Sequence, residues 1–245
     1  MQNIFAKMKA RFETADANTC MICLKKEQSL LKDLSYDELE RLENARTVIK
    51  HKKGEVIFKE GAKTSGLLCL SEGKVKIVSD ANGKEQVVSL CRPVDFINIR
   101  ALMNAAVYKH SAVALENSSL CHIDKSAFLN VVNHNSDLSM KLIRLFASEL
   151  DEADKHFINM TQKHLRARLA DALLKLLDFY GTLPDGRTLN CPLKRSDLAG
   201  LSNMNVANVI RTLSVFNKEK IISLNKKKIC INDVAALKHI GEMGK

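Results

Sequence analysis

Residues 193–224, LKRSDLAGLSNMNVANVIRTLSVFNKEKIISL, predict two short helices joined by a tight turn, with a strand behind them. Apolar residues recur at helical spacing, so each helix can bury one face; they are Leu198, Leu201, Met204, Val209, Leu213 and Phe216. The outer face of the second helix then carries Asn205, Ala207, Asn208 and Arg211. Arg can bind guanine in the DNA major groove and Asn can bind adenine. The pattern indicates a DNA-reading helix pair, although a helical pair that merely closes a small core has the same spacing.

The charge distribution favours the DNA interpretation. The chain carries a net charge of +10, but residues 1–154 contribute only +1 and residues 155–245 contribute +9. A basic C-terminal part is suited to neutralising phosphates, which supplies most sequence-independent affinity for DNA. The aromatic side chains on which readers of single-stranded RNA stack bases are scarce, with no Trp and three Tyr. Duplex DNA is therefore the expected partner.

Composition limits the cellular context. No run of about 18 apolar residues is present, and the N-terminus lacks the apolar stretch of a signal peptide. We therefore expect a cytoplasmic protein, in which thiols stay mostly reduced. The seven cysteines are better interpreted as core residues, metal ligands or redox sensors than as disulfide partners.

The N-terminal half is predicted to be mainly β-structure. Residues 30–47 have helical spacing, and Ser35 with Glu38 forms a capping-box pattern. Short apolar runs punctuated by glycine follow, and they predict a compact antiparallel barrel or roll. Asn82–Gly83 is the best hairpin turn, and we expect a further strand pair across His110–Leu115 and Ser119–Ile123.

A heptad pattern marks the helical region that follows. Its members are Ile143, Phe146, Leu150, Ala153, Phe157 and Met160. This spacing favours a dimer seam on a long helix, and packing against the roll of the same chain is the alternative. Leu165–Tyr180 predicts a further helix, and a hairpin between Ile221–Leu224 and Ile229–Ile231 places Lys226, Lys227 and Lys228 at its tip. Such a tip is suited to contacting phosphates.

The order of these parts resembles the Crp/Fnr family of bacterial transcription regulators. The most specific matches are KKGEVIFKEG (52–61), LLCLSEGKVKI (67–77), DANGKEQVVSL (80–90) and the helix pair. The resemblance implies an α+β fold: an antiparallel β-roll like a cyclic-nucleotide-binding jelly roll, a long dimerisation helix and a winged helix-turn-helix. It implies the segments 1–29, 30–135, 136–163 and 164–245, a homodimer, and RNA polymerase as a protein partner.

The resemblance also implies roles for individual residues of the helix pair. Arg195 and Asn205 fall where the family contacts phosphates, and Arg211 falls where it reads guanine. Ala207 stands where the family usually has a glutamate that accepts a hydrogen bond from cytosine. Alanine cannot do this, so the half-site should differ, with Asn208 as the substitute reader.

Two departures from the family's cyclic-nucleotide binders concern the sensor. Their Gly-Glu pair is replaced by Asn98-Ile99, and their Arg-Ser by His110-Ser111. Without the glutamate and the arginine, the ribose and the phosphate lose their strongest anchors. We therefore do not expect cyclic AMP to bind.

The cysteines resemble part of the iron–sulfur ligand set of the oxygen-sensing Fnr-like branch. Cys20, Cys23 and Cys121 match three ligands, but Ser29 stands where the fourth cysteine is expected. A cluster could take its fourth ligand from Cys69, Cys91 or a non-cysteine group, and the spacing selects none of them. A Cys20–Cys23 thiol switch, a vestige without cofactor, or haem bound by a histidine are the alternatives.

Enzymatic function is not expected. The sequence has no GxSxG, HExxH or Walker motif. The best alternative to a DNA-binding regulator is a zinc- or thiol-switched redox interaction protein that does not act on DNA. That alternative gives no role to Arg211.

Overall fold

The computed structural model describes residues 29–81, 84–104 and 107–243. They form an antiparallel β-roll, a long helix and a C-terminal helix-turn-helix with a hairpin wing, so the predicted α+β fold is confirmed. Among these residues, no helix is both long and apolar enough to cross a membrane.

The roll consists of two antiparallel sheets with the orders β1-β7-β3 and β2-β6-β4-β5. Its strands are β1 (Arg46–His51), β2 (Val56–Phe58), β3 (Gly66–Glu72), β4 (Val75–Ala81), β5 (Lys84–Cys91), β6 (Ser111–Ala114) and β7 (Ser118–Asp124). Two short helices, α1 (Tyr36–Asn44) and α2 (Ile99–Met103), belong to the same part of the chain. The strands β4 and β5 pair from Val75↔Cys91 to Ala81↔Lys84. The predicted turn at Asn82–Gly83 between them lies outside the described residues.

The predicted capping box starts α1. The Ser35 hydroxyl accepts a hydrogen bond from the Glu38 backbone nitrogen, and the Glu38 carboxylate accepts one from the Ser35 backbone nitrogen at 2.8 Å. The helix is shorter than the helical spacing of residues 30–47 indicated, because Arg46 already begins β1. The hydropathy pattern carries no strand signal for β1, because the middle of this strand is exposed on both faces and shows no alternation.

One predicted strand pairing is wrong. Both strands form close to their expected positions, but β6 pairs with β2 and β4, whereas β7 pairs with β1 and β3. The connection at residues 115–117 therefore crosses from one sheet to the other instead of closing a hairpin. Consecutive strands pair in most cases but not in all.

Gly73 shows why the roll needs glycine at its corners. Its φ is +93°, and a Cβ atom there would lie 2.3 Å from the Ser118 hydroxyl and 2.7 Å from the Asn117 carbonyl oxygen. Both the backbone conformation and the space therefore exclude a side chain. Gly54 and Gly61 also have positive φ.

The second half of the chain is helical apart from one hairpin. Its elements are α3 (Lys125–His134), α4 (Ser136–Gln162), α5 (Leu165–Tyr180), α6 (Arg195–Leu201), α7 (Val206–Lys218), β8 (Ile222–Asn225), β9 (Lys228–Ile231) and α8 (Val234–Met243). Residues of α5, α6, α7, the hairpin and α8 share one apolar core. Helix α8, which the sequence analysis did not predict, packs against α5.

Candidate DNA-binding surface and sensor region

The helix pair α6–α7 has one buried face and one exposed face. Val209, Leu213 and Phe216 are at most 1% exposed and anchor α7 in the C-terminal core. On the other side of α7, Ala207 and Arg211 are exposed and Asn208 is half-buried. The structure therefore brings the predicted reading residues together on one surface of a rigidly packed helix.

Asn205 caps this helix. Its side-chain oxygen accepts a hydrogen bond from the Asn208 backbone nitrogen at 2.7 Å. Asn205 is exposed at the start of α7, and the unpaired backbone N–H groups of a helix start favour an anion.

Arg195 and the wing lie on the same module. Arg195 is half-buried at the first position of α6, and burial lowers the pKa of its guanidinium. The predicted lysines Lys226, Lys227 and Lys228 are exposed at the tip of the β8–β9 hairpin, and Lys226 has a φ of +54° in its two-residue turn. These cations extend the positive charge beyond the helix pair.

The helix pair is joined to the roll by a buried ion pair that the sequence analysis missed. Lys76 of β4 lies 2.8 Å from the Asp197 carboxylate of α6, and it also pairs with Glu85 of β5. Burial lowers the pKa of Lys76, but its hydrogen bonds to these two carboxylates outweigh burial and raise it. A lysine at an inward position of a strand is the sequence signal for such a pair.

Close backbone packing accompanies this ion pair. A Cβ atom at Gly200 of α6 would lie 2.6 Å from the backbone nitrogen of Val87 in β5. A second polar contact joins the same two parts of the chain: Lys74, just before β4, donates hydrogen bonds to Glu116 at 3.2 Å and to Asn190, in the segment before α6, at 3.2 Å. The first helix of the pair, α6, thus packs directly against strands β4 and β5 of the roll.

The predicted dimer seam lies on α4 and is largely unpacked within one chain. Ile143, Leu150 and Phe157 are spaced seven residues apart and are 59%, 64% and 63% exposed. Ala153 is also exposed, whereas Phe146 is half-buried and packs against the core of the roll. The side chain of Met160 lies outside the described residues. The α4 stripe of Ile143, Leu150, Ala153 and Phe157 is therefore free to meet another surface.

The roll contains a cavity of about 290 Å³, and Asn98, Ile99 and His110 are among the residues that line it. The side chain of Asn98 is engaged within the roll: its oxygen accepts a hydrogen bond from the Leu68 nitrogen at 3.0 Å, and its nitrogen donates one to the Gly66 carbonyl at 2.9 Å. The neighbouring Ile99 is buried, and burial lowers the pKa of the half-buried His110. At the positions where cyclic-nucleotide binders carry their anchors, this chain therefore has an amide that is already hydrogen-bonded (Asn98), an apolar side chain (Ile99) and a histidine whose pKa is lowered (His110).

The predicted metal ligands fall partly outside the structure. Cys20 and Cys23 lie outside the described residues, whereas Cys121 is 2% exposed in β7. The residues that the structure describes contain no group of three or more His, Cys, Asp or Glu arranged to hold a metal ion. Of the two cysteines named as a further ligand, Cys69 lies directly opposite Cys121 in the β3–β7 ladder, and Cys91 lies in the other sheet.

Two family models match this chain. Residues 48–135 match the cyclic nucleotide-binding domain, and residues 167–240 match the Crp-like helix-turn-helix domain. The two matches cover the roll and the α5–α8 module described above.

Several proteins resemble the chain over most of its length. The anaerobic regulatory protein of Pasteurella multocida is 27% identical over 210 residues, which span 83% of this chain and 76% of that protein. The fumarate and nitrate reduction regulatory protein of Yersinia pestis is 26% identical over 212 residues, which span 83% and 82% of the two chains. FixK2 from Bradyrhizobium japonicum shares the fold with a TM-score of 0.71 at 19% identity, covering 80% of this chain and 96% of that one.

Proposed function

Because this chain belongs to the Crp/Fnr family of transcription regulators, we propose that it binds a two-fold duplex site as a homodimer, with α7 in the major groove. Like its relatives, the chain is a DNA-binding regulator and not an enzyme. The observation that carries the proposed binding mode is the exposed Arg211, which lies on the same face of α7 as Ala207. In this arrangement Arg211 binds guanine, and Asn208 is the second reader.

Phosphate contacts hold the reading helix in place. Arg195, the capping Asn205 and the wing lysines Lys226, Lys227 and Lys228 supply them. These contacts fix register and orientation but carry no sequence information. Sequence preference then depends on Arg211 and Asn208, and Ala207 can offer only a methyl contact to thymine.

The dimer forms along the α4 stripe. Three large apolar side chains of this stripe are about 60% exposed in a single chain. Fully burying a side chain of this size is worth about 1.5–3 kcal/mol. Two copies joined along α4 present two α7 helices, and this matches DNA sites with two-fold symmetry. RNA polymerase is the protein partner that the family implies.

The signal is a redox or oxygen-related one, read by a thiolate-bound iron–sulfur cluster. Relatives named anaerobic regulatory protein and fumarate and nitrate reduction regulatory protein support this class of signal. The loss of both nucleotide anchors at Asn98-Ile99 and His110 argues against cyclic AMP. Cysteine thiolates hold such clusters, and Cys20, Cys23 and Cys121 are the proposed ligands with family counterparts. When bound, the cluster would supply oxygen-sensitive redox chemistry, held by these thiolates.

Anaerobic purification tests this proposal. Iron, sulfide and visible absorbance are measured on the full chain, and DNA binding is measured before and after exposure to air. The proposal predicts matched iron and sulfide, absorbance that bleaches in air, and weaker DNA binding afterwards. A colourless, metal-free dimer that binds DNA equally well in air and under nitrogen would overturn the cluster and leave the DNA-binding assignment standing.

A further inference from the structure

The exposed side of α7 carries two large apolar side chains beside the predicted reading residues. Val206 is 42% exposed and Ile210 is 51% exposed, whereas Leu213, on the buried side of the same helix, is 1% exposed. Val206 and Ile210 are four residues apart, so their side chains are neighbours on the helix surface. We call these two residues the apolar row. Exposed apolar residues are ordinary when they are scattered singly, but this row adjoins a surface with a function of its own.

The apolar row lies next to the row that contains Arg211. An α-helix turns by about 100° per residue, so Ala207 and Arg211 form a second row one residue further round the helix. The residues of both rows are exposed. Asn208 lies on the far side of Arg211 from the apolar row. The reading surface of α7 therefore has an apolar edge on one side of Arg211 and an amide on the other.

The apolar row is confined to the first half of α7. Val206 is the first of the 13 residues of this helix and Ile210 is the fifth. One turn further along, the row ends at Ser214, whose hydroxyl donates a hydrogen bond to the Ile210 carbonyl oxygen at 3.0 Å. In a helix-turn-helix, residues near the N-terminus of the second helix contact the base edges. The apolar row thus lies in the part of the helix that such modules place against the bases.

The charges around the apolar row favour a nucleic acid as its partner. Helix α7 contains no Asp or Glu. The first carboxylate after the helix, Glu219, pairs with Arg166, with 2.9 Å between guanidinium nitrogen and carboxylate oxygen. Arg211 and the wing lysines supply positive charge on the same module. Such a surface attracts the phosphates of a duplex, which bring the base edges to the apolar row.

The major groove offers one apolar group to such a row. This group is the C5 methyl of thymine, and apolar side chains contact it. Valine and isoleucine have little rotational freedom in a helix, so the row presents its methyl groups in fixed positions. From the exposure, the spacing and the charge we infer that Val206 and Ile210 bind thymine methyl groups beside the guanine that Arg211 binds.

This inference rests on the proposed function, because it requires α7 to lie in the major groove. It adds two specificity residues to Arg211 and Asn208. It also changes the expected half-site, which then contains thymines beside the guanine in addition to the base that Asn208 reads.

Deoxyuridine in place of thymine tests the inference, because it removes the methyl group and keeps every base-pairing hydrogen bond. The duplex is the one that the wild-type chain selects from a random pool, and the thymines beside the guanine are replaced one at a time. Binding of the wild type, Val206→Ala and Ile210→Ala is measured on both kinds of duplex. Val215→Ala is the matched control, because Val215 is also exposed on α7 but lies in its second half, one turn beyond Arg211.

The wild type and Val215→Ala should bind about fourfold more weakly for each contacted methyl group that is removed. Ile210→Ala and Val206→Ala should each lose this difference at one thymine position and keep the preference for guanine. Circular dichroism checks that each variant is folded, which we expect because the substituted side chains are exposed.

Three results would contradict the inference. Half-sites without thymine beside the guanine, or a thymine preference that is absent in the wild type or unchanged in both variants, would overturn it and leave α7 as the DNA-reading helix. A lower mass of Ile210→Ala in the absence of DNA, with the thymine preference unchanged, would assign the apolar row to a protein contact. Failure of the wild type to select any sequence would overturn the proposed binding mode and this inference together.

Discussion

Lys76 of the β-roll and Asp197 of the helix-turn-helix form a buried ion pair, with 2.8 Å between the ammonium nitrogen and the carboxylate oxygen. The two residues are 121 positions apart in the chain. Asp197 also accepts a hydrogen bond from the Lys194 backbone nitrogen at 2.8 Å, so the same carboxylate caps α6 and seats it on the sensor sheet. The ion pair thus links the β-roll with the helix-turn-helix.

Replacing Lys76 with methionine should destabilise the chain strongly. The change leaves the Asp197 carboxylate buried without its cation, and breaking a buried pair in this way costs on the order of 3 kcal/mol. Urea unfolding at pH 7 measures this loss. Lys141→Met is the control, because Lys141 pairs with the exposed Asp33 at the surface and should change stability little. Equal effects of the two substitutions would show that the Lys76–Asp197 pair does not secure α6.

The loop before the helix pair should give an acid-dependent contribution to stability. Hydrogen bonds from the Thr188 side chain and from the backbone of Thr188 and Arg187 lower the pKa of Asp185 to about 2. Since the pKa is lower in the folded chain, this contribution is present above about pH 4 and is lost as the pH falls towards 2. Melting temperatures of the wild type and of Asp185→Asn should differ at pH 6 and converge near pH 2. A constant difference across this range would contradict the assignment.

Arg211→Ala should weaken specific DNA binding at one base pair. Loss of a bidentate contact to guanine costs about 1–3 kcal/mol and relaxes the preference at that position. Competition binding with operator variants measures both effects. Lys227→Ala is the comparison: it should weaken binding to all sequences alike and reduce the salt dependence, because its exposed side chain contacts phosphate. If Arg211→Ala weakened binding to all operator variants equally, Arg211 would not be a base-reading residue.

Leu150→Glu should convert the dimer to a monomer. Leu150 is 64% exposed in one chain, so the charge is tolerated there, but two carboxylates would face each other across the seam. Analytical ultracentrifugation measures the change in mass, and circular dichroism checks the fold. Lys155→Glu, on an exposed face of the same helix away from the seam, should remain dimeric. A dimeric Leu150→Glu chain would place the interface elsewhere.

Local sequence signals predicted where helices and strands form better than they predicted which strands pair with each other. The Ser35–Glu38 capping box and the helix Leu165–Tyr180 depend on residues close in sequence, and both occur as predicted. The pairing of β6 with β7 failed, because nothing within either strand encodes the crossing between sheets.

The same limit applies to the candidate site. The exposed face of α7 followed from its helical period, but the Lys76–Asp197 contact and the opposition of Cys69 and Cys121 join residues 121 and 52 positions apart. Pairing between distant segments decides these contacts, and the periodicity of one segment does not say which distant segment is its partner. Val94 is a local example: its φ of +84° is unusual for a β-branched residue, and no local sequence signal indicates it.

The most direct test of the account is selection of duplexes from a random pool by the anaerobically purified chain. We predict enrichment of an inverted repeat whose half-sites lie about 10 base pairs, or a multiple of this, apart from centre to centre. Each half-site should contain a guanine whose preference disappears with Arg211→Ala. Enrichment of a single half-site without symmetry, or of no sequence at all, would contradict a dimer that reads DNA through α7.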